Sequence, residues 1–290
     1  MSQEDYIHTD LACERRQADT DIPGVSYYEE SIGVLQKSVL HVASEEGART
    51  IGKPCGSYIT LSFKPLWQQN EQEIQEASVA LSSVLLEMMP KKEHLSLLVA
   101  GLGNRALTVD AIGPSTIRKV IATAHLAELE PELFSTLNCH KIAAIAPGVL
   151  GETGMESADL IKGAVRASAP DALIVVDALV ARSCSRLAST VQISDTGILP
   201  GGGVGNPRAA IDEESIGVPV IVVGVPTVVD SATLLYDALT NAGIEEIPDE
   251  FKKVLDSQRG YFVSPRECDA VTENVSHMIA VAINTAFGIQ

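Results

Sequence analysis

Short apolar segments and amphipathic segments alternate along most of this chain, and this alternation limits the folds open to it. Residues 95–100 and 172–176 have the length and composition of buried strands, and residues with helical spacing follow each of them. Aromatic residues make up only 4% of the chain, so its apolar content is mostly aliphatic, which suits buried parallel strands covered by helices. The pattern predicts an α/β fold with three layers, α/β/α, and a mainly parallel sheet.

The predicted elements run from residue 57 to the end of the chain. The predicted strands are residues 57–63, 95–100, 141–146, 172–176, 190–194 and 219–223, and the predicted helices are residues 71–89, 115–126, 157–167, 179–188, 231–242 and 265–287. Residues 1–30 are polar and are expected to be irregular. The charged stretch 244–257 is expected to be a mobile insertion.

The bulk composition argues against several classes of protein. The net charge of −17 would repel a phosphate backbone, so direct binding of nucleic acid is not expected. The first ten residues lack the features of a signal peptide, and the longest apolar stretch, 218–229, is too short to span a bilayer. The five cysteines form no C-x-x-C and imply neither a disulfide framework nor a zinc site. A soluble, cytoplasmic protein without a membrane partner is expected.

Two glycine-rich stretches resemble phosphate-binding loops only in part. Residues 101–106, GLGNRA, match the dinucleotide pattern G-x-G-x-x-A, but no acidic residue ends a second strand about 20 residues later. Pro114 also places the start of the next helix well beyond the glycines. Residues 200–206, PGGGVGN, lack the G-K-[ST] ending of a P-loop. No nucleotide cofactor is therefore predicted, and PGGGVGN is either a loop with positive φ angles or a substrate-contacting loop.

Three aspartates follow predicted strands. Asp110 lies in the loop after residues 95–100, Asp177 ends the run ALIVVD, and Asp195 follows residues 190–194. Taken singly, Asp110 and Asp177 each fit a helix N-cap. Loops at the carboxyl ends of parallel strands open on one edge of a sheet, so the two could also converge as a pair. Asp195 would then orient the pair or hold the PGGGVGN loop.

A convergent pair of carboxyl groups has a specific chemical use. Two such groups in one site do not both ionise easily, so one of them keeps a proton. The pair then supplies a base that activates water and an acid that protonates a leaving amine. A divalent metal shared by Asp110, Asp177 and a histidine is the open alternative. The chain contains neither an H-E-x-x-H zinc motif nor a G-x-S-x-G nucleophile elbow.

Four long segments resemble the germination proteases, an atypical group of endopeptidases commonly classed as aspartic. They are GLGNRALTVDAIGP, DALIVVDALVARSCSRLASTVQISDTGILPGGGVGN, GVPTVVDSATL and YFVSPRECDAVTENVSHMIAVAINTAF. The resemblance extends from about Thr9 to the C-terminus. It implies that Asp110 and Asp177 are the catalytic aspartates, and that the fold is similar to that of hydrogenase-maturation endopeptidases and not to pepsin. The chain has T-V-D-A-I-G where T-P-D-A-L-G is expected, so the Asp110 loop should be less rigid, because Pro fixes φ. Residues 240–261 are expected to be shorter than in many relatives.

The resemblance also implies how such a protein is made and used. Members of the family are synthesised as inactive zymogens during sporulation, process themselves, assemble as tetramers and cut small acid-soluble spore proteins during germination. The expected location is the forespore cytoplasm and later the spore core. The recognition pattern of the family is an acidic residue, the cut, an apolar residue, Ala, a small residue and Glu.

Residues 9–14 of the chain, TDLACE, are similar to that recognition pattern. The activating cut is therefore expected between Asp10 and Leu11, which leaves residues 1–10 as a propeptide and 11–290 as a single α/β peptidase domain. A protease can mature itself when its own N-terminus imitates its substrate, and a flexible terminus enters a cleft at low entropic cost.

Several alternatives stay open at this level. Arg105 or Arg182, both close to the aspartates in sequence, could hold the acidic side chain of a substrate through a charge-assisted hydrogen bond. The chain could instead be a metal-dependent maturation peptidase of the hydrogenase-processing type, in which the carboxylates recognise a metal. It could also be a binding module on the same fold, although such a module needs neither an aspartate pair nor a substrate-like N-terminus. If the carboxyl groups repel each other, self-processing should depend on pH.

Overall fold

The computed structural model describes residues 6–16, 22–65, 69–202, 205, 208–244, 248–258 and 260–288. The strands within this part of the chain are β1 (Val25–Ile32), β2 (Leu35–Val42), β3 (Gly56–Ser62), β4 (Ser96–Gly101), β5 (Lys141–Ile145), β6 (Ala172–Ala181), β7 (Thr190–Ser194), β8 (Val220–Asp230) and β9 (Phe262–Val263). The helices are α1 (Glu45–Ile51), α2 (Glu71–Met88), α3 (Ile112–Ile117), α4 (Ala124–Leu129), α5 (Pro131–Thr136), α6 (Leu150–Thr153), α7 (Ser157–Ser168), α8 (Glu213–Ile216), α9 (Ser231–Asn241), α10 (Asp249–Ser257) and α11 (Cys268–Phe287).

The strands form a single sheet in the order β1-β2-β3-β7-β8-β6-β4-β5, with β9 paired to β8. β5, β4, β6 and β8 run parallel, as the alternation of strands and helices predicts. β7, β3, β2 and β1 extend the sheet with antiparallel pairs, and β9 is also antiparallel to β8. The sheet is therefore mixed, and only its β5-β4-β6-β8 part is parallel. Antiparallel neighbours can be joined without a crossover helix, so they leave no alternation in the sequence.

Helices cover both faces of the sheet. On one face α2, α3 and α11 pack onto the strands, and Leu81, Ile283 and Val176 belong to one core. On the other face α7 and α8 pack onto a second core, which includes Ile161 and Val175. Successive residues of a strand point to opposite faces, so the central strands are buried on both sides. The predicted α/β class and its three layers are confirmed.

Residues 6–15, here called the N-terminal segment, pack against the sheet in an irregular conformation. Leu11 is fully buried in a cluster with Leu179, Leu187 and Val229. Leu179 lies four residues after Val175 in β6, so both side chains point to the face that α7 covers. The N-terminal segment therefore lies on the same face as α7. The cut expected between Asp10 and Leu11 would fall inside this packed segment.

Several local predictions differ from the structure. The single helix predicted at residues 115–126 is wrong: α3 ends at Ile117 and α4 begins only at Ala124, because Thr123 bonds instead to the backbone of His140 and Ile142 beside β5.

β6 continues past Asp177 to Ala181, so the helix predicted at residues 179–188 is wrong; Ala and Leu favour a helix there, but pairing with β8 overrides that propensity. Residues 1–30 were expected to be irregular, but they include most of β1, whose side chains are largely exposed and so show no apolar alternation. Residues 244–257 include α10, and residues 245–247 lie outside the described part of the chain.

Candidate active site

Asp177 lies in the middle of β6, beside Gly224 of β8. Its side chain projects from the same face of the sheet as Val175, which is the α7 face. The residue is only 7% exposed, and the Ala178 N–H donates a hydrogen bond to Asp177 Oδ1 at 2.9 Å. No helix begins at this position, so Asp177 is not an N-cap. β6 therefore delivers a carboxyl group into the interior of the protein.

Asp110 ends a short 3-10 helix, Thr108–Asp110, in the loop that follows β4. The backbone N–H of Asn104 donates to Asp110 Oδ2 at 2.8 Å, which ties the two ends of the loop together. α3 begins after Ala111 without a side-chain cap, so Asp110 is not an N-cap either. The carboxyl group is left to face the same region as Asp177.

The glycines of the GLGNRA stretch shape this loop. Gly103 has a φ of +112°, and a Cβ at this position would overlap the carbonyl oxygen of Asp110. A Cβ at Gly101 would overlap the backbone of Gly113, where α3 crosses the end of β4. Only glycine allows the chain to return so closely onto the strand end. The G-x-G pattern thus has a structural role in placing Asp110, which accounts for it without a nucleotide.

A cavity of about 500 Å³ brings the two aspartates together. Its lining includes Asp10 from the N-terminal segment, Asp110, Asp177 and Arg208. The other lining residues are Leu102, Gly103, Asn104, Leu107, Val109, Val149, Leu150, Gly151, Glu156, Ser157, Ala178, Leu179, Val180, Ile198, Leu199, Pro200, Gly201, Gly202, Thr227, Val228 and Phe262. The beginning of the PGGGVGN loop therefore borders the cavity, while residues 203–204 and 206–207 lie outside the described part. The mostly apolar wall surrounds a few convergent polar groups, as in many ligand sites.

The environment of the two carboxyl groups separates their pKa values. Burial raises the pKa of Asp177 well above its ordinary range, and the charges of Asp110 and then Asp10 raise it further, against the Ala178 N–H. Burial also raises the pKa of Asp110, while the Asn104 N–H stabilises its ionised form and lowers that pKa. Asp177 is thus the group that keeps a proton to higher pH. The arrangement can hold one ionised and one protonated carboxyl group.

This shift of the Asp177 pKa predicts how stability depends on pH. The unfolded chain loses the Asp177 proton near its ordinary pKa of 3.8, but the folded chain retains it to higher pH. Between these pKa values the folded state binds more protons, so its free energy of unfolding decreases as pH rises. Asp177→Asn removes this contribution. We expect the stability of the variant relative to wild type to increase from pH 4 upward, measured by urea unfolding over a pH series; a constant difference would contradict the shift.

Asp195 lies away from the aspartate pair. β7 runs antiparallel to β8, so Ser194 lies beside Val222, near the start of β8, and Asp195 follows it toward the amino ends of the parallel strands. Its Oδ1 accepts a hydrogen bond from the Ser57 N–H at 2.8 Å, and it does not line the cavity. The expectation that Asp195 shares an edge with Asp177 is wrong, because the direction of β7 is reversed.

The two arginines proposed to hold a substrate acid are placed elsewhere. The Arg182 guanidinium forms a bidentate ion pair with Asp237, with N–O distances of 2.6 to 3.1 Å. Arg105 is exposed, and neither residue lines the cavity. Arg208 does line it, with Nη1 3.8 Å from Glu156 Oε1. Its role at the cavity is not apparent from sequence, since it merely follows the PGGGVGN loop.

Gln192 of β7 does not line the cavity, but it binds the N-terminal segment next to Asp10, and the sequence reasoning missed it. It lies beside Gly224, so Asp177, Gly224 and Gln192 form one row across three strands and point to one face. Gln192 is 7% exposed; its Nε2 donates to Asp10 O at 3.3 Å, and its Oε1 accepts from the Ala12 N–H at 2.7 Å. The available signal was one glutamine side chain in the strand TVQIS, whose five residues are all buried.

Two other expectations concern metals and membranes. Within the described residues, no group of three or more His, Cys, Asp or Glu side chains is arranged to hold a metal ion. In the same part of the chain, no helix is both long and apolar enough to cross a membrane.

Comparison with known proteins places these features in a family. A sequence profile described as germination protease matches residues 3–243. The chain belongs to the germination protease family. A germination protease of Caldanaerobacter subterraneus subsp. tengcongensis is 36% identical over 97% of this chain and 94% of its own length. One from Clostridium perfringens is 38% identical with the same two coverages. The resemblance of the four sequence segments to this family of proteases is confirmed.

Among solved structures, the [NiFe] hydrogenase maturation protease HycI from Thermococcus kodakarensis KOD1 is similar to this chain. The match covers 69% of this chain and 99% of that protein, with 17% sequence identity and a TM-score of 0.37.

Proposed function

We propose that this germination protease is an endopeptidase that hydrolyses small acid-soluble spore proteins, with Asp110 and Asp177 as its acid–base pair. The observation that carries the proposal is the shared cavity, where two carboxyl groups with raised pKa values line one space. Pairs of titratable groups whose environments separate their pKa values are the usual mark of an acid and a base. Membership in a protease family makes peptide hydrolysis the reaction that such a pair would perform.

The difference between the two environments assigns the roles. Asp110, whose ionised form accepts the Asn104 N–H, is the base that removes a proton from water. The water oxygen adds to the peptide carbonyl carbon. Asp177, which is more buried and lies near the charge of Asp110, is the acid that gives its proton to the departing amide nitrogen as the C–N bond breaks. A proton transfer from Asp110 back to Asp177 restores the pair.

The proposal includes self-processing from a zymogen. Asp10 lines the cavity together with the pair, and Leu11 is buried beside it, so the expected cut between these residues lies next to the proposed chemistry. Removal of residues 1–10 would open that part of the cavity to other chains. The family resemblance supports the remaining elements of the proposal, which are cleavage after an acidic residue, assembly as a homotetramer, and action in the forespore and spore core.

The test is cleavage of a peptide from a spore protein by the purified wild-type chain, followed by intact mass. We expect one cut after the acidic residue of an acid–apolar–Ala–small–Glu sequence, and loss of residues 1–10 from the protein itself. A matched peptide with Asn or Gln in place of the first acidic residue should remain uncut. The proposal is contradicted if neither the spore-protein peptide nor the protein itself is cut. Activity that a chelator abolishes and one divalent metal restores would instead support the metal-dependent maturation peptidase.

A further inference from the structure

We propose that the free edge of β6 and the side chain of Gln192 form the recognition site for the substrate peptide, and that residues 10–14 of the chain occupy this site in place of a substrate. The inference rests on the proposed function and extends it, since it names the groups that select the peptide. These groups are the backbone N–H groups of Val180 in β6 and of Arg182 and Ser183 just after it, which bind two acidic side chains. The Gln192 amide binds the carbonyl oxygen of the bond to be cut.

The edge of β6 becomes free where β4 ends. The last residue of β4, Gly101, lies beside Val176, and β6 continues from there to Ala181. Among the described residues, no strand pairs with β6 on this side beyond Val176. Alternate N–H groups along such an edge point outward, about 7 Å apart, and need acceptors.

Carboxylates accept the hydrogen bonds of this edge. The Val180 N–H donates to Asp10 Oδ2 at 2.9 Å, and the Asp10 N–H donates back to Val180 O at 2.8 Å. The Arg182 and Ser183 N–H groups donate to the two oxygens of Glu14 at 2.7 and 3.1 Å. Hydrogen bonds to an ionised acceptor are about twice as strong as neutral ones, so this edge selects acids at the positions of Asp10 and Glu14.

The backbone conformation explains how two acids four residues apart reach neighbouring edge positions. An extended chain would carry residue 14 about 13 Å beyond residue 10. Residues Ala12–Glu14 instead form a 3-10 turn, which brings Glu14 back toward β6. Ala12 is fully buried in this turn, so a small side chain is required there. The apolar cluster around Leu11 selects an apolar residue after the first acid.

Gln192 contacts the backbone on both sides of the Asp10–Leu11 bond. Its Nε2 donates to the carbonyl oxygen of Asp10, which is the carbonyl of the bond expected to be cut, and its Oε1 accepts from the Ala12 N–H. A donor at that oxygen stabilises the negative charge that develops there when water adds to the carbonyl carbon. Gln192 and Asp177 project from the same face, and Asp10 lines the cavity with Asp177, so we infer that the donor and the acid act on one peptide.

The first test measures self-processing of the full chain by intact mass. Gln192→Glu keeps the acceptor but loses the donor, and we expect processing to slow by ~10²-fold. Glu14→Gln loses the ionised acceptor and should slow processing by ~10-fold. Asp195→Asn is the matched control, because Asp195 also accepts a backbone N–H but lies away from the site. Its rate should equal that of wild type, and equal rates in all four proteins would overturn the inference.

A trans assay separates a structural role of Gln192 from recognition. With a spore-protein peptide as substrate, Gln192→Glu should mainly lower kcat, while replacing the second acid of the peptide should mainly raise KM. A fall in kcat no larger than the fraction of unfolded Gln192→Glu protein would contradict the assigned role.

A second measurement does not depend on cleavage, so it distinguishes failure of this inference from failure of the proposed function. Amide hydrogen exchange at Ala12, whose N–H donates to Gln192 Oε1, should become at least ~10-fold faster in Gln192→Met and remain unchanged in Asp195→Asn. Unchanged exchange at Ala12 in the folded Gln192→Met variant overturns the inference, whether or not the wild-type chain cuts peptides. Faster exchange at Ala12 in Gln192→Met, together with a wild-type chain that cuts nothing, would support the binding site and refute the proposed function alone.

Discussion

Asp177→Asn is expected to lower the rate of peptide cleavage by ~10²- to 10⁴-fold, the range in which a general acid contributes. The buried amide cannot supply the proton that Asp177 is proposed to give to the leaving nitrogen, and it cannot share a proton with Asp110. The substitution keeps the size of the side chain, and the Asn carbonyl oxygen can still accept the Ala178 N–H that Asp177 accepts at 2.9 Å. The measurement is the single-turnover rate of self-processing together with cleavage of a spore-protein peptide.

The same variant should fold at least as well as wild type, which separates lost chemistry from lost structure. Burial raises the pKa of Asp177 above its value in the unfolded chain, so the free energy of unfolding of wild type decreases as pH rises, and Asn carries no such cost. We therefore expect the melting temperature of Asp177→Asn at pH 7.5 to equal or exceed that of wild type. A variant that retains near-normal cleavage would exclude Asp177 as the acid.

Gly103→Ala is expected to destabilise the fold by about 2–4 kcal/mol and to remove most of the activity. Gly103 has a φ of +112°, which an L residue rarely adopts, and the added methyl group would overlap the carbonyl oxygen of Asp110. Either the loop unfolds locally or Asp110 moves away from Asp177. Urea unfolding and the cleavage rate, measured on the same preparation, report both effects.

Gly163→Ala provides the matched control for this substitution. Gly163 lies in α7, is exposed, and has nothing within 4 Å of an added Cβ. The change should increase stability by about 0.5–1 kcal/mol through helix propensity and leave cleavage unchanged. If Gly103→Ala were as harmless as Gly163→Ala, the glycines of the GLGNRA stretch would have no part in placing Asp110.

The parallel part of the fold could be predicted because its signals are local. α7 buries Ala158, Ile161 and Val165 at helical spacing, and the bounds of β5 and α7 agree with the predicted elements. The continuation of β6 beyond Asp177 was missed because an aspartate at the end of an apolar run resembles a strand end. Pairing with β8 holds the strand together there, and such pairing is a long-range property.

The surroundings of the two aspartates were harder to predict from the sequence than the aspartates themselves. Asp110 follows β4 and Asp177 lies on the neighbouring parallel strand β6, so their convergence could be inferred from topology. Asp195 was placed wrongly because the direction of β7 does not follow from its composition. The Arg182 guanidinium is bound by Asp237, which lies 55 residues away in sequence. The position of Gln192 beside the site could be recognised only once its pairing with Gly224 was known.

The free edge of β6 has a consequence for how the protein can associate with other chains. An uncovered strand edge is a template on which another chain can add a strand, and natural proteins usually protect such edges. The N-terminal segment protects this one, because Asp10 pairs with both backbone groups of Val180. The proposed removal of residues 1–10 would uncover both backbone groups of Val180, while Glu14 would stay bound to Arg182 and Ser183. The proposed activation would therefore leave part of a strand edge open to pairing with another chain.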